Sequence, residues 1–448
     1  MARRLRHRHG GLQSRPSRLA AAALAALAMG LGPRPVGADV APAQVRVGLA
    51  WHRTTVVIGA PGPFVLSAGG EETKGEGDTW TVCLRSAAPP SAGAAERPAA
   101  GEVYVVGARG PGRWLGLPLR LRPGEGCADG LLAGLDDKSL RRYAGELEVA
   151  GDAAGMLSLV NTVDLEAYAR GVVCAEMGPS YPLEALKAQA VAVRSEAMFK
   201  LGRHRADGFD LCAEGHCQAY RGISGQAPAG DAAVAATRGE ILTYDGRPAD
   251  AVYHAVCGGY TEGARDVWGS DVPYLQGVAD GNRDDRGYRE QDDRLRAYLK
   301  TFPAVNCRQP QYVDLSRFRW VRTLPREEID KSLADMVSVG EVVDLRPLER
   351  GASGRIARLE VVGTRATTTL SRELVIRRAL GDLPSSAFVV ERLADAAGRA
   401  VAFVLWGAGW GHGVGMCQVG AAGMAAAGRD YREILAKYYQ GADIQTLY

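Results

Sequence analysis

The chain has 448 residues, 46% hydrophobic and 23% charged, which is the composition of a globular protein of two or three domains whose core is large enough to need no disulfides. Formal charge is +3, but residues 1–38 hold seven Arg and no acid, leaving 47 basic against 51 acidic side chains over 39–448. That slightly acidic remainder argues against nucleic acid as the main partner.

Met1–Arg18 is basic, Leu19–Gly32 is an apolar run of fourteen residues, and Val36-Gly37-Ala38 has the small-residue pattern of a cleavage site. Together they predict a secretory signal peptide over 1–38. The run is short for a bilayer span, so an uncleaved anchor is the weaker alternative. No later run reaches eighteen apolar residues. The expectation is an exported protein of the periplasm or cell-wall space, with no transmembrane helix in the mature chain.

Val45–Leu49 reads as the first strand. Residues 51–140 alternate short apolar runs with Gly/Pro/Ala-rich turns, and Ser86–Gly101 is low-complexity loop. The expected domains are a divergent β-rich region over 39–140 and a second unit over 141–448. In the second unit Glu146–Val149 and Met156–Val160 flank a Gly151-Asp152 turn, a hairpin pattern. Leu165, Tyr168 and Val172 give Asp164–Val173 a helical period. An irregular stretch, Cys174–Tyr181, follows, and Pro182 opens a second helix. There Leu183, Leu186, Ala190, Val193 and Ala197 form one apolar stripe, with Lys187 and Arg194 on a line beside it.

Residues 205–280 lose the helical period and include strand candidates Glu240–Tyr244 and Ala251–Val256. Gly281–Lys300 is highly charged surface, and Val342–Val362 brackets a turn at Gly351–Gly354. Near the end Gly407, Gly409, Gly411, Gly413 and Gly415 alternate with Ala408, Trp410, His412 and Val414. This predicts an extended strand with one bare face, against which a core segment or a ligand lies, and with Trp410 packed in the core. Asp430 and Glu433 form a capping-box pattern before a last helix through Tyr439. The predicted class is α+β: mixed sheets with short helices, a helix–loop–helix carrying Glu176, and a Gly-rich C-terminal strand followed by helices.

Three groups carry chemistry. Glu176 sits among apolar neighbours in the loop between the two helices, where desolvation raises a carboxyl toward general-acid values; the alternative is an exposed loop glutamate. Cys212, His216 and Cys217 place three soft ligands within six residues, with His204 the nearest fourth. They predict a structural zinc, with a disulfide of Cys212 or Cys217 to Cys257 as the rival, and a Cys–His nucleophile well behind. The eight cysteines allow many pairings, Cys83 with Cys127 among them. His412, beside Trp410, is a candidate ligand contact.

Four ordered blocks, LEAYARGVVCAEM–YPLEALKAQAVAVRSEAM (165–198), CAEGHCQAYRG (212–222), VYHAVCGGYTEGARDVWGSDVPYLQGVAD (252–280) and GWGHGVGMCQVGAAGMAAAGRDYREILAKYYQGADI (409–444), resemble the stage II sporulation protein D family, which includes the amidase-enhancer proteins. The resemblance runs from about Tyr143 to the C-terminus, and VRVGL at 45–49 matches the usual start of the family's domain. It implies peptidoglycan chemistry outside the cytoplasm. The activity implied is lytic transglycosylase cleavage of glycan strands stripped of stem peptides, giving 1,6-anhydro-muramic ends. The family's essential glutamate falls on Glu176 and a used basic position on Arg194. Some members hold zinc through a segment like Cys212–Cys217. No cofactor is required for the implied catalysis. Lys187, Gln189, Arg194 and His412 are the expected substrate contacts, and glycan strands and a cell-wall amidase the expected partners. The rival is a non-catalytic wall-binding module that stimulates a separate amidase. Two departures stand out: Ser195-Glu196 follows Arg194 where Thr-Tyr is common, and Cys174 and Cys417 replace a common Pro and Ser.

Overall fold

The computed structural model describes residues 43–88, 101–107, 111–281, 287–289 and 292–448. The signal-peptide expectation and residues 89–100 of the low-complexity loop lie outside the described residues.

Alternation of buried and exposed side chains builds one large sheet from the N-terminal half. Its spatial order runs Leu211–Cys212, Gln44–Arg53, Leu157–Asp164, Glu146–Gly151, Leu119–Pro123, Thr55–Ala68, Glu71–Cys83, Glu102–Gly107 and Arg113–Gly116. Leu131–Gly134 branches from Thr55–Ala68 to Arg141–Tyr143. The pairs are antiparallel except Gln44–Arg53 with Leu211–Cys212. Gln44–Arg53 lies between Leu157–Asp164 and Leu211–Cys212, so this sheet joins residues on both sides of position 140. The predicted hairpin is the antiparallel pair of Glu146–Gly151 with Leu157–Asp164.

Leu157–Asp164 runs straight into helix α1, Leu165–Glu176, because the Asp164 side chain accepts the Ala167 N–H at 2.8 Å and caps the first turn. Helix α2, Leu183–Phe199, follows. The single apolar stripe expected for α2 is corrected: every residue from Ala185 to Ala197 except Lys187 is buried. Its alanines let neighbours close in on all sides: α1, α3 (Pro228–Ala236), and two C-terminal helices, Gln418–Ala426 and Tyr431–Tyr438. Leu186, Val191 and Val193 are fully buried, each contributing roughly 1.5–3 kcal/mol on removal from water.

A second core lies between residues 320 and 405 and includes Trp320, Ile356, Leu359, Ile376, Phe388 and Phe403. It is enclosed by two three-stranded sheets and by the helices Arg326–Leu333 and Glu373–Ala379. Here Val342–Arg350 pairs antiparallel with Ile356–Gly363 around the predicted turn. The charged stretch 281–300 contains helix Asp292–Leu299. Of the predicted strand Ala251–Val256 only Tyr253–His254 is a named strand. The last helix, Tyr431–Tyr438, carries the predicted reciprocal capping box of Asp430 and Glu433. The architecture is mixed α+β, as expected. Among the described residues no helix is long and apolar enough to cross a membrane.

The alternating-glycine segment is the largest correction. The strand Ala400–Ala408 takes in only its first two residues, Gly407 and Ala408, and Gly409, Gly411, Gly413 and Gly415 all have left-handed φ, from 69° to 97°, so the rest of the segment is a winding loop rather than an extended strand. A core segment occupies its bare side. A side chain at Gly409 would meet the Val256 and Cys257 carbonyls at 2.8 and 2.9 Å, and one at Gly415 would collide with the Val252 carbonyl.

Candidate functional site: a groove around Glu176

A groove of about 1100 Å³ opens where α1, α2, the glycine loop and the Tyr253–His254 strand meet. Its walls include Glu176, Glu196, Lys200, Tyr253, His412 and Gln418, with Trp268 and Trp410 partly exposed on it. A smaller cavity of about 540 Å³, between Asp330 and Arg365, holds no His or Cys.

Glu176 is the last residue of α1, one helical turn beyond the expected end, and not in a loop. Met177 then leaves the helical conformation, which turns the glutamate toward the groove. The Ala219 N–H donates to its Oε1 at 2.6 Å. Burial pushes its pKa above the ordinary carboxylate value, and the bonds from Ala219, Tyr253 and Gln418 and the Arg221 charge pull back without cancelling the rise. The carboxyl is therefore half-buried, hydrogen-bonded, and easier to protonate than a surface glutamate.

Sequence reasoning did not give Glu196 a role. It lies on α2, buried, and burial is the main cause that raises its pKa to about 7. The Lys200 ammonium lowers it, while the Asp250 and Glu176 charges raise it. Lys200 Nζ forms an ion pair with Glu196 and lies 3.4 Å from Asp250 Oδ1. Gln218 links the two glutamates. Its Nε2 donates to Glu196 Oε2 and to Tyr253 Oη, both at 3.1 Å, and its Oε1 accepts from Tyr168 Oη at 2.8 Å. Both Gln218 amide protons are thus engaged, and the Tyr253 hydroxyl is among the groups that lower the Glu176 pKa. The readable signal was a carboxylate whose neighbours one turn away on α2, Ala192, Val193 and Phe199, are apolar.

His412 is in the groove wall. The Val414 N–H donates to its Nδ1 at 3.1 Å, so Nε2 carries the proton, which it gives to the Tyr253 carbonyl at 3.0 Å. Burial and the nearby His254 and Arg355 hold its pKa well below the usual value. This neutral, doubly bonded ring shapes the groove. Its ring packs 5.2 Å from Trp268. Trp410 is not in the core: it is 39% exposed, with the Arg317 guanidinium 4.8 Å above its ring.

The structure sends the other three expected contacts elsewhere. Lys187 pairs with Glu184 at 2.6 Å and lies over the Tyr431 ring. Gln189 is fully buried, and its Oε1 accepts from Gln418 Nε2 at 3.4 Å. Arg194 is fully buried and spends its guanidinium on protein: two bonds to Glu166 at 2.9 and 2.7 Å, one to the Val234 carbonyl at 2.8 Å and one to Thr237 at 3.2 Å. None of the three lines the groove.

His204, Cys212, His216 and Cys217 converge, with one ligand atom of each within 4.8 Å of the others. His204 Nε2 is 3.3 Å from His216 Nδ1, and the Cys212 and Cys217 sulfurs are 3.7 and 4.0 Å from that nitrogen. Tetrahedral zinc, with bonds of about 2.0–2.1 Å to N and 2.3 Å to S, requires edges of roughly 3.3–3.8 Å. The donor set fits. Asp207 Oδ2 lies 3.0 Å from His204 Nδ1, where it orients the imidazole and leaves Nε2 free to ligate. Arg203 must yield, because its NH2 contacts His216 Nε2 at 3.0 Å and that nitrogen carries a proton once Nδ1 binds metal. All eight cysteines are free thiols, including Cys83, Cys127 and Cys257.

The fold and groove define a mixed α+β protein in which Glu176 and Glu196, both with raised pKa, line one groove, with a Cys/His cluster alongside. A family model described as "Stage II sporulation protein" matches residues 153–244, the stretch that carries both glutamates and the Cys/His cluster. A second model, a domain of unknown function (DUF8618), matches 262–415. An uncharacterized protein of Brachyspira hyodysenteriae is 33% identical over 293 residues, covering 64% of this chain and 68% of that protein. Stage II sporulation protein D of Bacillus subtilis is 30% identical over 307 residues, covering 64% and 75%. The amidase enhancer of Bacillus subtilis is 30% identical over 295 residues, 62% of this chain but 40% of the relative's length. The chain belongs to the stage II sporulation protein D family.

Proposed function

We propose that the chain is an exported enzyme that cleaves peptidoglycan glycan strands in this groove, with Glu176 as the acid/base. The observation that carries the reading is the Glu176 carboxyl: half-buried in the groove wall, shifted toward protonation, and held by the Ala219 N–H. Protonated Glu176 gives its proton to the glycosidic oxygen as the C1–O bond breaks. The resulting carboxylate takes the proton of the muramic C6 hydroxyl, whose oxygen attacks C1 and closes a 1,6-anhydro ring. One carboxyl serves both steps, and no water is consumed. Such an acid/base supplies roughly 10²–10⁴-fold, and the groove must supply the rest by binding and orientation.

A zinc held by His204, Cys212, His216 and Cys217 would have four protein ligands and no open position, a structural role. These residues would pin the loop at 212–217, from which Ala219 reaches Glu176.

The likeness to an amidase enhancer supports a second reading, in which the groove holds glycan without turnover and the chain stimulates a separate amidase. Incubation with glycan strands stripped of stem peptides separates the two. Parent protein should release 1,6-anhydro products, and Glu176→Gln should bind glycan but lose at least 100-fold in rate. Parent protein that binds glycan and releases nothing would replace the enzymatic reading with the second one.

A further inference from the structure

Four residues remote from one another in sequence bring a second set of ligand atoms together. Cys257, Asp280, Cys307 and Cys417 each offer one ligand atom within 4.8 Å of the others. All four are buried, with Asp280, Cys307 and Cys417 at 0% exposure and Cys257 at 2%. They come from four separate segments. Cys257 follows the Tyr253–His254 strand, Cys417 closes the Met416–Cys417 strand that pairs with it, and Asp280 and Cys307 stand on loops.

We propose that Cys257, Asp280, Cys307 and Cys417 form a buried structural zinc site that ties these four segments together, separate from the His204/Cys212/His216/Cys217 cluster.

The sulfur geometry suits a metal. Cys257 and Cys307 sulfurs are 3.5 Å apart, close to the tetrahedral edge of about 3.8 Å that two Zn–S bonds of about 2.3 Å give. The sulfurs receive backbone donors. Cys417 Sγ accepts the Cys257 N–H at 3.1 Å and the Gly420 N–H at 3.3 Å, and Cys257 Sγ accepts the Gly259 N–H at 3.4 Å. A neutral thiol is a weak acceptor, whereas a metal-bound thiolate carries the charge that such donors stabilise. Asp280 is fixed in turn: Oδ2 accepts the Cys307 N–H at 2.6 Å and Oδ1 the Tyr438 hydroxyl at 2.8 Å.

Charge also favours a cation here. No ion pair joins Asp280 to a Lys or Arg among the described residues, and a buried carboxyl without a counter-charge is costly. A Cys257–Cys307 disulfide would use two of the sulfurs and leave the carboxyl and Cys417 uncompensated. Zinc with three thiolates and a carboxylate carries a net double negative charge. Two buried guanidiniums partly offset it from the adjoining backbone: Arg319 donates to the Gly258 carbonyl at 2.9 Å, and Arg355 to the Cys257 carbonyl at 3.4 Å. Binding releases the thiol protons.

The test is metal content of the full-length protein dialysed against Zn²⁺ and then desalted, measured for the parent, Cys212→Ser and Cys307→Ser. The proposal requires that Cys307→Ser hold one zinc fewer than the parent, whatever Cys212→Ser does. If the first cluster also binds, Cys212→Ser loses a different zinc. A Cys307→Ser protein with the parent's circular dichroism and the parent's zinc content would overturn the proposal. So would a Cys257–Cys307 disulfide in peptides mapped without reduction. Should Cys307→Ser fail to fold, Asp280→Asn keeps the side-chain shape and all three sulfurs. It must release one zinc to a chelator at least tenfold faster than the parent, and an unchanged release profile sinks the idea.

Discussion

Arg194 is the sharpest place to separate a structural role from a substrate role. Its guanidinium is fully buried, meets both oxygens of Glu166, and is completed by the Val234 carbonyl and Thr237. Arg194→Met keeps most of the apolar volume and removes the charge. The Glu166 side chain is only 6% exposed, so its carboxylate cannot turn to water, and breaking one side of a buried pair costs about 3–5 kcal/mol. Against a total stability of about 5–15 kcal/mol for a folded unit, that is a large fraction. Urea unfolding followed by tryptophan fluorescence should show a clear fall in midpoint. Glu166→Gln combined with Arg194→Met should recover much of the loss, because the stranded charge is gone, and the cycle measures the coupling. A parent-like midpoint for Arg194→Met, together with weakened glycan binding, would refute the reasoning and return Arg194 to the substrate.

Two further outcomes follow from the groove and its loop. Glu196 has a folded pKa of about 7, above its ordinary 4.5, so the folded state holds the proton more tightly, and stability falls as pH rises from about 4.5 to 7. The penalty reaches roughly 3 kcal/mol above pH 7. Glu262, also raised to about 7, adds to the parent's slope in the same window. Glu196→Gln should therefore flatten the decline of unfolding free energy between pH 5 and 7 without abolishing it, and an unchanged slope would contradict the burial of Glu196. Gly415→Ala forces a side chain into left-handed backbone and against the Val252 carbonyl, so thermal unfolding should show a loss of about 2–4 kcal/mol. Ala at Gly398, where φ is 78° but nothing lies within 4 Å, should cost less.

What the sequence made legible was local. The Asp430–Glu433 capping box, the hairpin around Gly151-Asp152, and the start of α2 after Pro182 each depend on a few neighbouring residues, and each stands where the pattern put it. The His204–Cys217 cluster was legible for the same reason, since fourteen consecutive residues hold all four donors. The misses depend on what lies across space. Arg194 and Lys187 share a line on α2, yet one meets a buried carboxylate from α1 and the other the partly exposed Glu184 one turn earlier on the same helix, and no period distinguishes them.

The glycine loop shows how a correct observation led to a wrong element. Alternation at period two is the pattern of a strand, and the bare side does lie against another backbone. But glycine is also the residue that tolerates left-handed φ, and four glycines spent on that property make a loop that winds around residues 252–257 instead of pairing along them. The winding has a consequence that a strand would lack. It turns Trp410 outward over Arg317 while holding His412 inward against the Tyr253 carbonyl, one residue from His254 and within the wall that Tyr253 shares with Glu176. It then delivers Cys417 to the buried cluster beneath. One glycine-rich segment thus joins the groove's exposed tryptophan, its neutral histidine and the buried cluster of the proposed metal site. A change at Gly413 or Gly415 is therefore expected to disturb binding and stability together rather than separately.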